Sequence, residues 1–571
     1  MVTDHHGQFV AGLKPADFTV LEDGKPQRMA AFAVHTVPAN ARLGAPPLKL
    51  PPHQYSNFTY VPQAQDRPVT IVLLDMMNTS GLEQQYARKQ MIKFLEALPS
   101  GRPVALFTLT SKLNMVQGFT GDSATLVEAA KAVMAKSPLL IGSEAQMQDD
   151  SITARTLESL GTPASMGPTG GSGTGTGSAP IAPIGQALRY AVDSEDSFQK
   201  LQRMELTIEA LNVLARSVAG YSGRKNLLWL SAEFPIAFGP DMNPYNQASA
   251  AINAGITPEA QTNHQLHNLQ YETPPLEQTA AMLAASQVAV YPINVSGVIN
   301  PGTGIDISTQ TSNLSNLDLQ NETQTANLRQ TNAKWDIHES MSDIARQTGG
   351  EAFYGTNDLK EALTKGMEEG SNYYTLAYTP TNADWNGKYR KIEVKSTAAG
   401  AKLTYRRGYY SVEQKPYTGD KMAASMMMAM KFSTPEFTML FLKVQVLPPD
   451  AEHKMVRIDY AVDAHDIAFA DGPDQRKLAS VDFMATAWDK DLKLITHTAE
   501  TMQTTLRPDS YKEVLRTGLP YHQELDLKPG KYILRMGVLD RGSQKIGTVD
   551  VPITIGDAPG SSSGQAAKAA Q

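Results

Sequence analysis

The sequence predicts a multidomain protein that combines a mainly parallel α/β domain with all-β segments on either side of it. Residues Val69–Leu74 form an almost unbroken apolar run, rich in β-branched residues, which is typical of a strand buried on both faces. Between residues 66 and 370, such runs alternate with helical patterns, which predicts a parallel sheet covered by helices. Before residue 36 and after residue 370 the apolar period is two, as in antiparallel strands.

Composition limits the classes of protein that this chain can belong to. At 571 residues it is too long for a single hydrophobic core. Its formal net charge of −7 argues against a general nucleic-acid binder, because phosphate binding needs clustered lysine and arginine. No run of about 18 apolar residues is present, so no transmembrane helix is predicted. The absence of cysteine excludes disulfides, thiolate metal sites and a cysteine nucleophile.

The first 36 residues are predicted to form short strands that need a distant partner. Asp23-Gly24 lies between two strand-like runs and is typical of a β-hairpin turn. A segment of this length cannot bury enough apolar surface to fold alone. Residues 37–65 carry many Pro, Asn and Gln residues and are predicted to be a linker. The chain opens without a basic region followed by an apolar stretch, so no signal peptide is visible in it.

Residues 66–370 are predicted to alternate between strands and helices, with polar insertions. After the strand that ends at Asp75, the predicted strands are Val104–Thr110, Leu113–Phe119, Asn226–Leu230 and Val288–Asn294. Helices are predicted after Asp75, after Thr120–Ser123, and over residues 198–220, 276–286, 336–348 and 357–368. Polar or low-complexity stretches near residues 137–197, 236–275 and 300–333 are predicted to be flexible insertions, because they cannot offset the entropy of ordering.

The β pattern returns after residue 370. Residues 371–412 contain three strand-like runs and are predicted to complete a β-sandwich with residues 1–36, so that the α/β domain is inserted into it. Residues 413–435 carry methionines at helical spacing and are predicted to be a connector helix. About seven strands in residues 436–556 predict an immunoglobulin-like (Ig-like) β-sandwich. Residues 557–571 are predicted to be a disordered tail.

Several stretches of the sequence resemble a known family. The order of elements, with an aspartate at the end of the first sheet strand, resembles a von Willebrand factor type A (VWA) domain. The flanking text closely resembles the VWA-related proteins abundant in acidobacteria, in the segments VTDHHGQFVAGLKPADFTVLEDGKPQ, GRKNLLWLS, VAVYPINVSG, TGGEAFYGTNDL and YYTLAYTPTNADWNGKYRKIEVK. The resemblance covers about residues 2–410, broken by the low-complexity insertions. It implies a Rossmann-like domain with helices on both faces of the sheet.

The resemblance also implies a metal site that this chain matches in part. VWA domains typically hold Mg²⁺ at a metal-ion-dependent adhesion site (MIDAS), formed by Asp-x-Ser-x-Ser, a threonine from a later loop and an aspartate after the fourth strand. Asp75, Thr79 and Thr120 match three of these ligands. Met77 and Ala232 take the other two positions and supply no oxygen to a hard ion that prefers oxygen ligands.

Three further oxygen-bearing residues lie beside this pattern, one position out of register: Asn78, Ser80 and Glu233. The resemblance therefore implies a degenerate, MIDAS-like site at which Mg²⁺ binds weakly or not at all through Asp75, Thr79 and Thr120. The alternative is that Asp75 and Thr120 cap the helices that follow them and that no metal is involved.

The function expected from these observations is that of a non-catalytic, adhesion-type protein that binds an unidentified partner protein. The expected contact residues are Asp75, Asn78, Thr79, Ser80, Thr120 and Glu233. The resemblance implies an extracytoplasmic location (periplasmic, cell-surface or secreted), because relatives generally carry secretion signals. Two alternatives stay open, a metal-assisted hydrolase that uses the same cleft and a structural envelope protein with a dead site. The sequence shows no paired carboxylate or histidine suited to general-base catalysis.

Overall fold

A computed structural model describes residues 1–36, 50–57, 68–99, 102–133, 202–221, 223–234, 275–297, 337–411, 419–432 and 434–556. The predicted insertions near 137–197, 236–275 and 300–333 lie outside the described residues, except for the backbone at Pro275, and so does the predicted tail 557–571. In the described ranges, no helix is both long enough and apolar enough to cross a membrane.

The described strands and helices are numbered in chain order. The amino-terminal part contains β1 (Val2–Thr3), β2 (Phe18–Glu22), β3 (Lys25–Gln27), β4 (Met29–His35) and β5 (Gln54–Ser56). The part that follows contains β6 (Val69–Asp75), α1 (Gly81–Glu96), β7 (Val104–Leu109), β8 (Leu113–Thr120), α2 (Ser123–Ala132), α3 (202–218), β9 (Lys225–Ser231), α4 (Pro275–Ala285), β10 (Val288–Asn294), α5 (337–348) and α6 (Leu359–Glu369). The carboxyl-terminal part contains β11 (Tyr373–Tyr378), β12 (Tyr389–Ser396), β13 (Lys402–Leu403), β14 (Gly408–Tyr410), α7 (Gly419–Met430), β15 (Leu442–Leu447), β16 (Val456–Val462), β17 (Ala470–Asp471), β18 (Lys477–Asp489), β19 (Leu494–Leu506), α8 (Pro508–Thr517), β20 (Leu519–Leu525), β21 (Gly530–Asp540) and β22 (Ile546–Ile555).

The middle of the chain is built on a five-stranded sheet with the order β10-β9-β6-β7-β8. Strands β10, β9, β6 and β7 are parallel, and the edge strand β8 runs antiparallel to β7. Every residue of the four parallel strands is buried, which is why their sequences are nearly continuous apolar runs instead of alternating ones. The predicted mixed α/β architecture is confirmed.

The first and the later β segments of the chain share sheets. β2 pairs with β12, β4 pairs with β11, and β1 pairs with β13, all antiparallel. The four-stranded sheet β14-β12-β2-β3 contacts the β4–β11 pair through aromatic rings: Phe18 lies 6.0 Å from Phe32 and 5.4 Å from Tyr374 between ring centroids. Residues on both sides of the α/β region therefore form one hydrophobic cluster.

The prediction that residues 37–65 form a linker is wrong for the part that the structure describes, residues 50–57. Strand β5 pairs with β15 and forms the edge of the sheet β20-β16-β15-β5. Ser56 Oγ donates to the Leu442 carbonyl at 2.9 Å, and Asn57 Nδ2 donates to the Phe437 and Leu440 carbonyls at 2.9 and 2.7 Å. A three-residue strand is too short to show alternation, so its sequence could not reveal backbone pairing with a partner so far along the chain.

The strands after α7 belong to two sheets, β20-β16-β15-β5 and the sheet formed by β17, β18, β19, β21 and β22, and a shared hydrophobic cluster connects them. Strand β18 pairs with β19 on one side and with β21 on the other, and β21 pairs with β22. Helix α8 interrupts the predicted run of strands. Its signals are Pro508 at the first helical position and Gly518 after the last, with φ of 90°, which any other residue adopts only at a cost.

Helix α7 lies between the α/β region and the carboxyl-terminal sheet. Met426, Ala429 and Met430 are buried in one hydrophobic cluster with residues of α3, β18, β21 and β22. The buried Arg535 of β21 fixes the end of this helix, because its Nε donates to the Ala429 carbonyl at 2.8 Å and it pairs with Asp550 at 3.1 Å. The predicted connector is therefore a packed helix.

The stability of the contact between α7 and the carboxyl-terminal sheet is expected to depend on pH through Glu436. Burial raises the pKa of the Glu436 carboxyl to about 7, and the Asp550 carboxylate acts in the same direction. Because this pKa lies above the ordinary value of 4.5, folding binds a proton, and the free energy of unfolding should fall as pH rises from 4.5 through about 7. Glu436→Gln stays neutral and should be more stable than the wild type at alkaline pH by roughly 1–3 kcal/mol.

Urea unfolding across this pH range measures the effect. The matched control is Glu513→Gln, because Glu513 is exposed and pairs with Arg516 at the surface. An unchanged pH slope in Glu436→Gln would show that Glu436 is not the group responsible.

Candidate functional site

The candidate site lies where the parallel strands of the central sheet end. Asp75 is the last residue of β6, and residues 76–80 connect it to α1. Ser80 is the N-cap of α1: its Oγ donates to Glu83 at 2.9 Å, and its backbone N–H donates to the same carboxylate. The sequence alternative in which Asp75 caps this helix is wrong, because Ser80 has that role.

The Asp75 carboxylate is buried, and polar groups surround both of its oxygens. Oδ1 accepts the backbone N–H groups of Met77 and Asn78 at 3.1 and 2.9 Å. Oδ2 lies 2.9 Å from Asn78 Nδ2, 3.0 Å from Trp229 Nε1 and 3.0 Å from Ser231 Oγ. Burial raises the pKa of the Asp75 carboxyl, while the hydrogen bonds from Asn78, Trp229 and Ser231 act in the opposite direction. Asp75 therefore ties the loop to β9.

Asn78 and Thr79 are also held inside the protein. Asn78 Nδ2 contacts Thr207 Oγ1 of α3 at 3.2 Å, and the Asn78 carbonyl accepts the Glu233 N–H at 3.1 Å. Thr79 Oγ1 accepts the Ala232 N–H at 3.1 Å. Both side chains are fully buried. The loop after β6 is thereby fixed to α3 and to the end of β9.

Among the expected contact residues, Glu233 is partly exposed, as Ser80 and Thr120 also are. Its side chain is 33% exposed and pairs with Arg203 of α3 at 2.9 Å, whereas Arg203 itself is 3% exposed. Leu82, in the first turn of α1, is 81% exposed, more than any other large apolar side chain in the described ranges. An acidic and an apolar side chain are therefore accessible to solvent near this edge of the sheet.

Thr120 does not belong to this site, contrary to the expectation from the sequence. It pairs with Val104 at the start of β7, whereas Asp75 lies opposite Leu109 at the end of that strand. Five residues of strand separate the two positions, which is about 16 Å along the sheet. β8 runs antiparallel and therefore carries its last residue to the opposite edge. Asp122, not Thr120, caps α2, because its side chain accepts the Ala124 and Thr125 N–H groups.

The remaining residues do not fit an octahedral Mg²⁺ ion. The lone pairs of Asp75 are directed at protein donors, and the Thr79 hydroxyl already accepts a backbone N–H. Met77 and Ala232 are buried among apolar residues. In the part of the chain that the structure describes, no group of three or more His, Cys, Asp or Glu side chains is placed to hold a metal.

Sequence reasoning missed four residues of this network: Arg203, Thr207, Trp229 and Ser231. Trp229 and Ser231 lie within the buried strand β9, where composition indicates packing alone. Arg203 and Thr207 follow a long insertion, so no fixed spacing connects them to Asp75. Their roles depend on tertiary contacts that leave no local pattern.

The known proteins that this chain resembles are similar to it only at low sequence identity and low TM-score. No family model matches the sequence, and no curated protein matches it. An aerotolerance-related membrane protein from Bacteroides fragilis is 11% identical with a TM-score of 0.23, over 53% of this chain and 98% of its own. The PilB minor pilin from Streptococcus sanguinis is 11% identical with a TM-score of 0.24, over 55% of this chain and 64% of its own. The ArnB paralog VWA2 from Sulfolobus acidocaldarius is 9% identical with a TM-score of 0.21, over 95% of this chain and 76% of its own. The fold described above therefore rests on this chain's own strand order and contacts.

Proposed function

We propose that this chain is a non-catalytic, extracytoplasmic binding protein that contacts a partner protein through the edge of the sheet at Asp75, without a metal ion. Its α/β region is a VWA-type domain inserted between the halves of a β-sandwich, and an Ig-like β-sandwich follows. The sequence resemblance and the aspartate at the end of the first sheet strand support the VWA assignment. The location rests on the same resemblance.

The hydrogen-bond network around Asp75 carries this proposal. A metal-dependent adhesion site needs a carboxylate with free lone pairs and an open position for a ligand. Here Asp75 is 0% exposed, and its oxygens face two backbone N–H groups and three side chains. The groups available to a partner instead include the exposed Leu82 and the partly exposed Ser80 and Glu233. Recognition would then rely on apolar contact and on the Glu233 charge.

The alternative of a metal-assisted hydrolase needs a general base within reach of a substrate. Glu233, the carboxylate of this network that reaches solvent, is paired with Arg203. The alternative of a structural envelope protein predicts that this edge contacts no specific partner.

A photo-crosslinking amino acid in place of Leu82 tests the proposal in the full chain, expressed in its native host. We expect one protein to be captured reproducibly from position 82, with a yield that is the same in Mg²⁺ and in a chelator. A single apolar anchor at the centre of an interface contributes about 2 kcal/mol or more, so Leu82→Asp should lower the affinity for the captured protein at least roughly tenfold.

The matched control places the crosslinker at Lys93, which is exposed on the same helix but lies at its opposite end. Equal capture from both positions, or capture that a chelator abolishes, would contradict the proposal. Absence of any specific capture from position 82 would favour the structural alternative.

A further inference from the structure

The turn between β18 and β19 is rigid and carries exposed apolar side chains. Asp489 Oδ1 accepts the N–H groups of Asp491 and Lys493 at 2.9 and 3.0 Å. The Asp489 N–H donates to the Lys493 carbonyl at 3.1 Å, and the Leu492 N–H donates to the Asp489 carbonyl at 3.0 Å. These bonds fix the backbone of the turn, so its side chains are presented in one arrangement.

Leu492 is held at this turn in a conformation that leucine rarely adopts. Its φ is 62°, in the left-handed region that favours glycine or asparagine, and its side chain is 50% exposed. Leu494 and Ile495, which follow it, are 40% and 44% exposed. Strained backbone persists at functional sites more often than elsewhere. Three exposed aliphatic side chains, one of them strained, point to a contact surface.

This turn lies at the end of the carboxyl-terminal sheets that is far from the α/β region. Asp489 pairs with Tyr532 near the start of β21, whereas the contact between Thr438 and Gly547 lies at the other end of the β21–β22 ladder. Thr438 Oγ1 donates to the Ser217 carbonyl of α3 and accepts the N–H of Gly220, which follows that helix. A surface that binds this turn therefore leaves the edge of the sheet at Asp75 accessible.

Charged and aromatic residues around the turn suit a membrane surface. Four lysines are exposed within residues 489–495 and 526–531: Lys490, Lys493, Lys528 and Lys531. The same two ranges contain three aspartates, and the Asp489 carboxylate is hydrogen-bonded within the turn. Trp488 directly precedes the turn and is half-buried, with its ring 5.9 Å from that of Phe432 between centroids and its Nε1–H donating to Thr486 Oγ1 at 3.0 Å. At an interface with a protein, lysines that alternate with leucines would break up a continuous apolar contact. At a bilayer surface, the ammonium groups stay among the headgroups while the aliphatic groups insert. Tryptophan favours the same interface.

We propose that the turn 489–495 docks this protein on a lipid bilayer surface, with Leu492, Leu494 and Ile495 inserted between headgroups and the flanking lysines facing lipid phosphates. This proposal does not depend on the function proposed for the edge of the sheet at Asp75.

Vesicle flotation of the full chain tests the docking, with vesicles of phosphatidylcholine alone and mixed with phosphatidylglycerol. We expect the wild type to float with both and more strongly with the mixed vesicles. Leu492→Gly should lower partitioning about fivefold, as expected from the loss of one inserted leucine. Its melting temperature should not fall, because glycine adopts this backbone conformation without strain. Adding Leu494→Thr and Ile495→Thr should abolish flotation.

The control is Leu478→Thr, which changes an exposed leucine at the opposite end of β18 and should float like the wild type. Failure of the wild type to float overturns the proposal. So does flotation that Lys490→Glu/Lys493→Glu removes but Leu492→Gly leaves intact. Self-association of the wild type in gel filtration that Leu492→Gly removes, without vesicle binding, would make the turn an interface between copies of this chain.

Discussion

Replacing Glu22 with alanine is expected to destabilise the sheet that joins the two ends of the α/β region by about 3–5 kcal/mol. Glu22 is buried at the end of β2, and its Oε1 accepts a charged hydrogen bond at 3.3 Å from Arg390 of β12, also buried. Its Oε2 accepts the hydroxyls of Tyr378 and Tyr409 at 2.7 and 2.9 Å. Removal of the carboxylate leaves the Arg390 charge in a buried position without its counter-charge.

Hydrogen exchange measures this effect locally, which suits a chain of several domains. Protection of the amides in β2 and β12 should fall by roughly a hundredfold to several thousandfold in Glu22→Ala. The double variant Glu22→Ala/Arg390→Met should lose less than the sum of the two single variants, because it leaves no unpaired charge.

The matched control is Glu393→Ala. Glu393 also lies on this sheet, opposite Leu21, but its ion pair with Lys395 is exposed on both sides, so its loss should cost under about 0.5 kcal/mol. If Glu22→Ala were as mild as Glu393→Ala, the buried ion pair would not be what holds β2 in place.

The α/β sheet could be predicted from the sequence because its strands are buried on both faces. Val69–Asp75 and Lys225–Ser231 are continuous buried segments, and continuous apolar runs are what such strands require. The end of a strand is also visible in the local sequence, because the apolar run stops there, so the prediction that β6 ends at Asp75 is correct. Strand β5 was not predicted, because three residues carry no periodic pattern.

The structure brings together four of the residues expected at the candidate site, Asp75, Asn78, Thr79 and Glu233. Thr120 and the partners of Asp75 were not predicted correctly, for a physical reason. Thr120 was expected beside Asp75, but which edge of a sheet a residue reaches depends on whether its strand runs parallel or antiparallel. That direction is not encoded in the residues of β8. The partners of Asp75 on α3 and β9 come from distant parts of the chain. Local spacing identifies a ligand pattern, whereas tertiary contacts decide whether its oxygens are free.

Replacing Asp75 with alanine is expected to destabilise the α/β region by roughly 3–5 kcal/mol. The change leaves the N–H groups of Met77 and Asn78 and the Trp229 Nε1–H buried without their acceptor, and each orphaned donor costs about 1–3 kcal/mol. Asn78 Nδ2 keeps Thr207 Oγ1, and Ser231 Oγ keeps the Glu233 carbonyl at 2.6 Å, so these two lose less. Asp122→Ala is the control, because loss of this exposed helix cap should cost about 1 kcal/mol.

The response to Mg²⁺ decides whether Asp75 is a structural residue or a metal ligand. A carboxylate kept for a metal repels its neighbours when the metal is absent, so its removal would then be neutral or stabilising in a chelator. A structural carboxylate predicts the same loss in Mg²⁺ and in a chelator. We expect the second result, together with a wild-type stabilisation by millimolar Mg²⁺ well under about 1 kcal/mol, as for a ligand near or below its dissociation constant. A melting shift of several degrees that a chelator reverses and Asp75→Ala abolishes would instead show that Asp75 binds the ion.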